Sequence, residues 1–213
     1  MGYKQSERMA ERKHARRERL LAAAVALFGR QGYHATTVPL IVAEAQSSTG
    51  AFYLYFRNKE DVYVAALKAL AEDLSGSLNA AAAIEPGGEL PMGAVVRAFV
   101  MWLAEHPSEA RILAEAATLG GRIEEQRRAM VESHVRSVSL ALEQSGCWSD
   151  PLERAVLARC WVGSVLEAAI GWMGLPSTER LEPERLATLV AGFNLRGARL
   201  DRPVKGSSER FIL

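Results

Sequence analysis

The sequence predicts an all-α protein of about nine helices, with a small three-helix head at the N-terminus and a larger C-terminal helical bundle. Two observations support this fold class. The chain has 34 Ala and 25 Leu against 6 Ile and 16 Val, and unbranched side chains lose little rotamer freedom in a helix. Apolar residues recur every three or four positions in most segments, and no alternating, strand-like segment exceeds a few residues.

Length and composition exclude several classes of protein. A chain of 213 residues, 49% hydrophobic and 24% charged, can bury a core without disulfides and is not disordered. No uncharged apolar run approaches the roughly 18 residues of a membrane span, and the N-terminus is too charged for a signal peptide, so we expect a cytoplasmic protein. Cys147 and Cys160 lack metal-ligand spacing and are interpreted as small apolar residues rather than a disulfide or redox pair.

Three predicted helices account for the head, which we assign to residues 1–60. The first covers 12–31, where an amphipathic stripe runs along one face, and Gly32 supplies its stop. The second covers 38–45, with Thr37 of the preceding threonine pair as a candidate N-cap. After a break at 46–48, Ser48 caps a third helix that extends to about Phe56.

The predicted second domain covers residues 61–213. Asn58 caps its first helix, a connecting helix over 61–83 with a leucine or alanine at every fourth position. A Pro- and Gly-rich loop at 86–91 follows. The remaining helices are predicted at 92–105, 107–119, 122–144, 151–174 and 183–200. Three of them begin with proline, whose missing N–H is no loss at the first helical position.

The arrangement of the first 60 residues is typical of a helix-turn-helix. Two short helices separated by about three residues follow a basic helix. Residues 1–60 hold 10 Lys and Arg against 5 Asp and Glu, whereas the remainder is net negative, so DNA would be met at the basic end. Small and hydroxyl-bearing side chains allow close approach to the major groove and can bond phosphates or base edges. Such residues here are Ser47, Ser48, Thr49, Gly50, Tyr53 and Tyr55.

The head also resembles a known family. The residues that carry the resemblance are Arg19-Leu20-Leu21, Ala23-Ala24, Leu27-Phe28, Gly32-Tyr33, Thr36-Thr37-Val38, Ile41, Ala45, Ser48-Thr49-Gly50-Ala51-Phe52-Tyr53, Tyr55-Phe56 and Asn58-Lys59-Glu60-Asp61. Over about 45 residues they resemble the DNA-binding head of tetracycline-repressor (TetR) family regulators. The resemblance implies a homodimeric repressor that a small molecule releases from its operator. It also implies that DNA is touched by Thr37, Ser48, Thr49, Tyr53, Tyr55 and Lys59.

Three positions depart from the family pattern. Gln46 stands where the family usually has glycine in the turn, Ser47 replaces a small apolar residue, and Val42 replaces a common alanine. A left-handed backbone at a non-glycine turn residue costs on the order of 1 kcal/mol, unless the turn closes differently. The basic arm over residues 4–19 is either a solvated helix end or a non-specific phosphate contact.

The second domain suggests a pocket and an interface. All four Trp lie after residue 100, and aromatic and Met side chains suit a pocket for a flat or greasy ligand, although core packing explains most of them individually. The predicted lining is Phe99, Trp102, Met130, His134, Trp161 and Val165. Candidate polar anchors are His134, Arg111, Glu115 and Glu167. Helices 151–174 and 183–200 either cover their own core or, as the family resemblance implies, form a two-fold four-helix dimer interface.

Two alternative functions are an enzyme and a DNA-binding regulator that is controlled by a protein partner. A helical enzyme is disfavoured because the four His show no ligand spacing and the sequence has no nucleophile motif and no phosphate-binding loop; we expect no catalytic residues, no metal and no cofactor. A DNA-binding regulator controlled by a protein partner, with no small-molecule effector, stays open. Thermal-shift screening with apolar compounds distinguishes it, because a ligand that binds only the folded state raises apparent stability.

Overall fold

The computed structural model describes residues 2–83, 92–146 and 148–198, with side chains from residue 9 onward, and its fold consists of helices joined by turns. The predicted all-α class is confirmed, since these ranges contain no strand. The helices are α1 Gly2–Ala35, α2 Val38–Glu44, α3 Thr49–Tyr53, α4 Lys59–Ala83, α5 Met92–Glu105, α6 Pro107–Glu115, α7 Gly121–Gln144, α8 Pro151–Gly174 and α9 Pro183–Gly197. A short 3₁₀ segment, Ser177–Glu179, lies between the last two.

Side-chain caps define the starts of the three helices that follow α1, as predicted. The Thr37 hydroxyl accepts from the Leu40 N–H at 3.4 Å, and the Ser48 hydroxyl accepts from the Ala51 N–H at 3.1 Å. At α4 the Asn58 side chain accepts from the Asp61 N–H at 2.8 Å. Each cap satisfies a backbone donor that has no partner inside the helix.

Several helix boundaries differ from the predicted ones. Helix α1 extends beyond 12–31 in both directions, and the predicted stop at Gly32 is a kink with φ 81° and ψ 173°, after which helical bonding continues to Ala35. The buried Thr36 hydroxyl donates to the Gly32 carbonyl at 2.8 Å and secures this kink. Helix α3 ends at Tyr53 rather than Phe56, and α6 ends at Glu115, four residues early, in a turn.

The described chain divides into two compact units, and the division differs from the expected boundary at residue 60. The first unit contains the residues up to Gly76 together with 102–130, and the second contains 77–101 and the residues from 131 onward. The boundary therefore falls inside α4. The predicted loop at 86–91, Cys147 and Leu200 lie outside the described residues.

The first unit is built around one continuous apolar core. Helices α1, α2, α3, α4 and α6 and the start of α7 contribute to it. Phe28, Phe52 and Tyr63 are fully buried, and the Phe28 and Tyr63 rings meet edge to face with their centroids 4.7 Å apart. The head is thus packed together with the later helix α6 rather than standing alone.

In the second unit, α8 packs against α9 through one face of each helix. Trp161 and Val162 of α8 and Leu186 and Val190 of α9 are buried, and the buried Asn194 accepts a hydrogen bond from the Ser164 hydroxyl at 2.7 Å. Helix α8 is also, by length and composition alone, the one helix among the described residues that could cross a membrane. Its most apolar window has a mean hydropathy of 1.3, and 28% of that window is buried.

Candidate nucleic-acid interface

Buried aromatic and aliphatic side chains fix the positions of the two short helices of the head. Ile41 of α2 and Phe52 of α3 are fully buried in the core of the first unit. The Phe52 ring lies 5.6 Å from the Phe56 ring, and the Arg17 guanidinium of α1 lies 5.3 Å above Phe56. Because helices of seven and five residues are too short to be stable alone, this packing is what holds α3 in place.

The opposite face of α3 is exposed. Thr49, Gly50, Tyr53 and Leu54 are exposed, whereas Ala51 and Phe52 are buried. At 100° per residue the four exposed positions span one arc of the helix. A Cβ added at Gly50 would meet nothing within 4 Å. The arc therefore combines two hydroxyl groups, one position without a side chain and one leucine.

The turn before α3 has a left-handed backbone at Gln46, the position where the family usually has glycine. Gln46 has φ 47°, and among the described residues it is the one non-glycine residue with positive φ. The turn closes through the Ser47 N–H, which donates to the Val42 carbonyl at 3.0 Å. Gln46 thus adopts the strained backbone conformation, and Ser47 itself is half-buried.

The other residues predicted to touch DNA have varied surroundings. Thr37 and Ser48 are exposed and serve as helix caps, and Tyr55 is half-buried beside a cleft of about 510 Å³ that α1 and α4 also line. The Lys59 ammonium donates to the Tyr33 carbonyl at 2.8 Å and lies 4.1 Å from the centre of the Tyr33 ring. Burial lowers the pKa of Lys59, and the negative charge of Glu115 opposes this effect. Contact of these residues with DNA stays a prediction.

Helix α6 holds the end of α1, a role that sequence reasoning missed. Both carboxylate oxygens of Glu115 accept from the Tyr33 N–H, at 2.9 and 3.0 Å, and the Arg111 guanidinium donates to the Arg30 carbonyl at 2.8 Å. The Tyr63 hydroxyl donates to the Ile112 carbonyl at 2.8 Å. Arg111 and Glu115, considered above as anchors for a ligand, are thus engaged within the first unit.

Both acidic residues in the first turn of α4 are bonded within the first unit, and Asp61 is paired with arginine side chains. Asp61 pairs with Arg57 at 3.1 Å and with Arg122 at 2.6 Å, and Glu60 accepts from the Arg122 N–H at 2.9 Å. The side-chain hydrogen bond from Arg57, together with one from Arg122 and one from the Arg57 backbone, holds the pKa of Asp61 well below its usual range. The Asp61 carboxylate therefore faces protein cations, while exposed basic residues lie along α1: Arg12, Lys13, Arg16 and Arg19.

The residues predicted to line a ligand pocket are distributed over both units. In the first unit, the buried Trp102 donates its indole N–H to Asp73 at 2.8 Å and stacks on His106, and Met130 packs against the apolar core. In the second unit, Trp161 and Val165 are buried and Phe99 is half-buried. Within the described residues, no group of three or more His, Cys, Asp or Glu could hold a metal ion.

His134, also in the second unit, is half-buried on α7. Burial lowers the pKa of its imidazole, which favours the neutral form. A neutral imidazole can donate and accept a hydrogen bond at once. The assignment of His134 and the other five residues to a pocket stays a prediction.

The two helices predicted to form a dimer interface expose apolar side chains. On α8, Leu152 and Val156 are 78% and 62% exposed, and on α9, Leu189 and Phe193 are 47% and 65% exposed. The predicted apolar stripe of α9 is therefore divided, since Leu186 and Val190 of the same stripe are buried. Cys160 is a free cysteine on α8, and its side chain is exposed.

Comparisons with known proteins identify the head. Residues 20–66 match the model of the family described as bacterial regulatory proteins, tetR family. The HTH-type transcriptional regulator HbdR of Aromatoleum sp. (strain CIB) is 45% identical over 53 residues, which are 25% of this chain and 23% of that protein. The matched segments span between 23% and 35% of the length of the curated relatives.

Solved structures extend the likeness of the fold to most of the chain. The regulator FadR of Bacillus subtilis, in complex with stearoyl-CoA, has a TM-score of 0.72 at 18% identity and covers 84% of this chain and 98% of its own. SmeT, the repressor of the Stenotrophomonas maltophilia multidrug efflux pump SmeDEF, has a TM-score of 0.67 at 22% identity and covers 85% of this chain and 89% of its own. The match to the tetR family model is therefore confined to residues 20–66, and the solved structures show that most of the chain shares their all-α fold.

Proposed function

We propose that this protein regulates transcription by placing α3 in the major groove of duplex DNA. The observation that supports this most strongly is the exposed arc of α3, where Thr49 and Tyr53 present hydroxyl groups beside Gly50. A short helix with small polar groups suits the width and the hydrogen-bonding edges of the major groove. The exposed arginines and lysine of α1 supply phosphate contacts that position the helix without reading sequence.

Selection of bound sequences from a random DNA pool tests this proposal. Tyr53→Phe should weaken binding to the recovered site by about 1 kcal/mol, the net contribution of one hydrogen bond. Tyr63→Phe is the matched control, because its hydroxyl bonds the Ile112 carbonyl inside the core and should leave DNA affinity unchanged. Failure of the folded protein to enrich any sequence at low salt would contradict the proposal.

The protein acts as a homodimer through α8 and α9 in this proposal. The exposed Leu152, Val156, Leu189 and Phe193 provide apolar area on both helices, which a second copy would cover by a two-fold four-helix arrangement. The exposed Gly163 permits close approach of a partner helix. Because a two-fold dimer meets two equivalent half-sites, the recovered DNA site should be roughly palindromic.

Light scattering coupled to size exclusion tests the dimer. Phe193→Glu should convert the dimer to a monomer, because a carboxylate would be buried without a partner. Leu140→Glu on α7, where the leucine is 54% exposed, is the matched control and should stay dimeric. A monomeric wild type that partitions into lipid vesicles would instead assign the apolar face of α8 to a membrane.

The regulator is released from DNA by a small apolar effector, and thus acts as a repressor. Two structurally similar proteins were solved with ligands that carry an apolar group, FadR with stearoyl-CoA and SmeT with triclosan. In this chain the second unit offers Phe99, Trp161 and Val165 as an apolar lining, with the neutral His134 as a polar group. The effector must bind the released conformation more tightly than the DNA-bound conformation, because equal affinity for both would not shift the equilibrium between them.

Thermal shift with stearoyl-CoA and triclosan as probes tests the effector. A probe that binds should raise the unfolding midpoint and weaken DNA binding in the same concentration range. Phe99→Ala should reduce the shift, and Leu140→Ala should retain it. If no apolar compound raises the unfolding midpoint or weakens DNA binding, control by a protein partner is favoured.

A further inference from the structure

One apolar side chain lies on the exposed arc of α3 without a role in the proposed function. Leu54 follows the last residue of α3 in an α-helical backbone conformation, with φ −71° and ψ −23°. It is 72% exposed, more than any other large apolar side chain described in the first unit. Its neighbour Phe56, two residues on, is 2% exposed. Packing of the head therefore gives no reason for an outward leucine at this position.

The position of Leu54 relative to the hydroxyl groups is set by the helical repeat. Leu54 lies four residues after Gly50 and directly follows Tyr53, so it shares the exposed arc that begins at Thr49. The open space at Gly50 leaves nothing on the same side of the helix, one turn away, to cover the leucine. Any surface that approaches Thr49 and Tyr53 closely therefore also approaches Leu54.

The chemistry of the major groove offers one apolar group. Among the base edges presented there, thymine carries the C5-methyl group, while the other distinguishing groups are hydrogen-bond donors and acceptors. The hydroxyl groups of Thr49 and Tyr53 can bond phosphates, donors and acceptors, whereas a leucine gains only by contact with an apolar group.

We propose that Leu54 packs against the C5-methyl group of a thymine in each half-site and is a specificity-determining residue. This inference rests on the proposed placement of α3 in the major groove and adds the recognition of one base type. Removing the contacted methyl group should weaken binding about fourfold, the effect of one buried methyl group on an apparent affinity. Replacing thymine by deoxyuridine removes that methyl group and leaves the base-pairing edge unchanged.

The test measures binding of the full-length protein to its selected site with each thymine replaced in turn by deoxyuridine. Wild type should lose two- to tenfold in affinity at one thymine of each half-site. Leu54→Ala should bind the thymine and deoxyuridine sites equally well, and Leu54→Met, which keeps an apolar side chain, should retain the sensitivity. Both variants should fold normally because the side chain is exposed, which a circular dichroism melt checks.

Leu40→Ala is the matched control, since Leu40 of α2 is the other exposed leucine of the helix-turn-helix, at 43%. It should leave the deoxyuridine effect unchanged. The inference is overturned if wild type binds DNA without any methyl dependence, if Leu54→Ala keeps the full dependence, or if Leu40→Ala removes it. A wild type that binds no DNA would overturn the proposed function itself, which is a different outcome from these three.

Discussion

The two compact units differ in what they leave exposed. The first exposes hydroxyl groups on α3 and basic side chains on α1; its Asp61 is paired with Arg57 and Arg122, and its Glu60 accepts from the Arg122 backbone N–H. The second exposes large apolar side chains on α8 and α9, such as Val156 and Phe193. The basic surface of the first unit attracts a polyanion. The exposed apolar surface of the second unit favours contact with another apolar surface. The difference is consistent with the two partners proposed above, DNA for the first unit and another copy of the chain for the second.

The units also differ in how they are fixed internally. In the first, side chains of α6 bond backbone groups at the end of α1, across 81 and 82 residues of sequence. In the second, bonds that join side chains to each other include Arg97 of α5 with Glu184 of α9, across 87 residues, and Ser164 of α8 with Asn194 of α9, across 30. A reading helix must be held to within a fraction of an ångström to discriminate bases, and the first unit has the bonds that such positioning requires.

The largest expected effect comes from a pair of identical substitutions, one in each unit. Phe52→Ala should lower the free energy of unfolding by about 3–5 kcal/mol, because Phe52 is 0% exposed. Phe193→Ala should change the stability of the monomer by less than about 0.5 kcal/mol while removing the dependence of the unfolding midpoint on protein concentration. Urea denaturation at several concentrations measures both. Equal losses for the two variants in dilute protein would show that Phe193 belongs to a core.

An intermediate effect is expected at the contact between α6 and α1. Glu115→Ala leaves the Tyr33 N–H without its carboxylate acceptor and should cost about 1–3 kcal/mol of stability. It should also lower the pKa of Lys59 further, because the charge of Glu115 raises that pKa. Urea denaturation and hydrogen exchange at the Tyr33 amide measure the change. Glu115→Gln, which keeps an acceptor, should lose less; full protection of the Tyr33 amide in Glu115→Ala would refute the role.

A smaller and opposite effect is expected in the turn of the helix-turn-helix. Gln46→Gly should raise the free energy of unfolding by about 0.5–1 kcal/mol, because glycine adopts the positive φ without strain. Ala43→Gly in α2 is the control and should lower it by about 1 kcal/mol, since its backbone is helical. Thermal and urea denaturation of both variants measure these changes in the free energy of unfolding. A destabilised Gln46→Gly would mean that the glutamine side chain stabilises the turn by other contacts.

The smallest effect concerns the pH dependence of the second unit. Burial lowers the pKa of His134 in the folded protein, so the unfolded chain binds more protons between the folded and unfolded pKa values. Stability is therefore full above the unfolded pKa and is lost as the pH falls towards the folded pKa. His134→Gln should show a shallower loss of stability as the pH falls below the ordinary histidine pKa of about 6.5, whereas His14→Gln, at an exposed position, should follow wild type.

The features predicted correctly from the sequence are decided by neighbouring residues. The caps at Thr37, Ser48 and Asn58 each involve a donor three residues ahead, and α5 and α8 have the predicted bounds. The possible strain at Gln46 likewise followed from one residue type in one turn. Such local preferences can be recognised in a single sequence because the interacting groups are close along the chain.

The features that were missed depend on distant residues or on the direction of a side chain. Arg111 and Glu115 were considered as ligand anchors because their partners, Arg30 and Tyr33, lie some 80 positions earlier. Leu54 was not singled out because the third helix was predicted to extend to Phe56, and a leucine within a helix is ordinarily a core residue. Its exposure depends on which face of α3 packs against the core, and distant residues of α1 and α4 decide that.

The contact between Glu115 and Tyr33 bears on how this protein can be recombined with others. A fragment that stops at residue 60 would lack the carboxylate that completes the end of α1, together with the buried Ile112 and Ala116. Joining those 60 residues to the ligand-binding domain of another regulator would transfer α3, the proposed reading helix, without the α6 contacts that hold the end of α1. A functional hybrid would have to carry over 102–130 as well, so that exchange of operator preference between regulators requires two grafted segments rather than one.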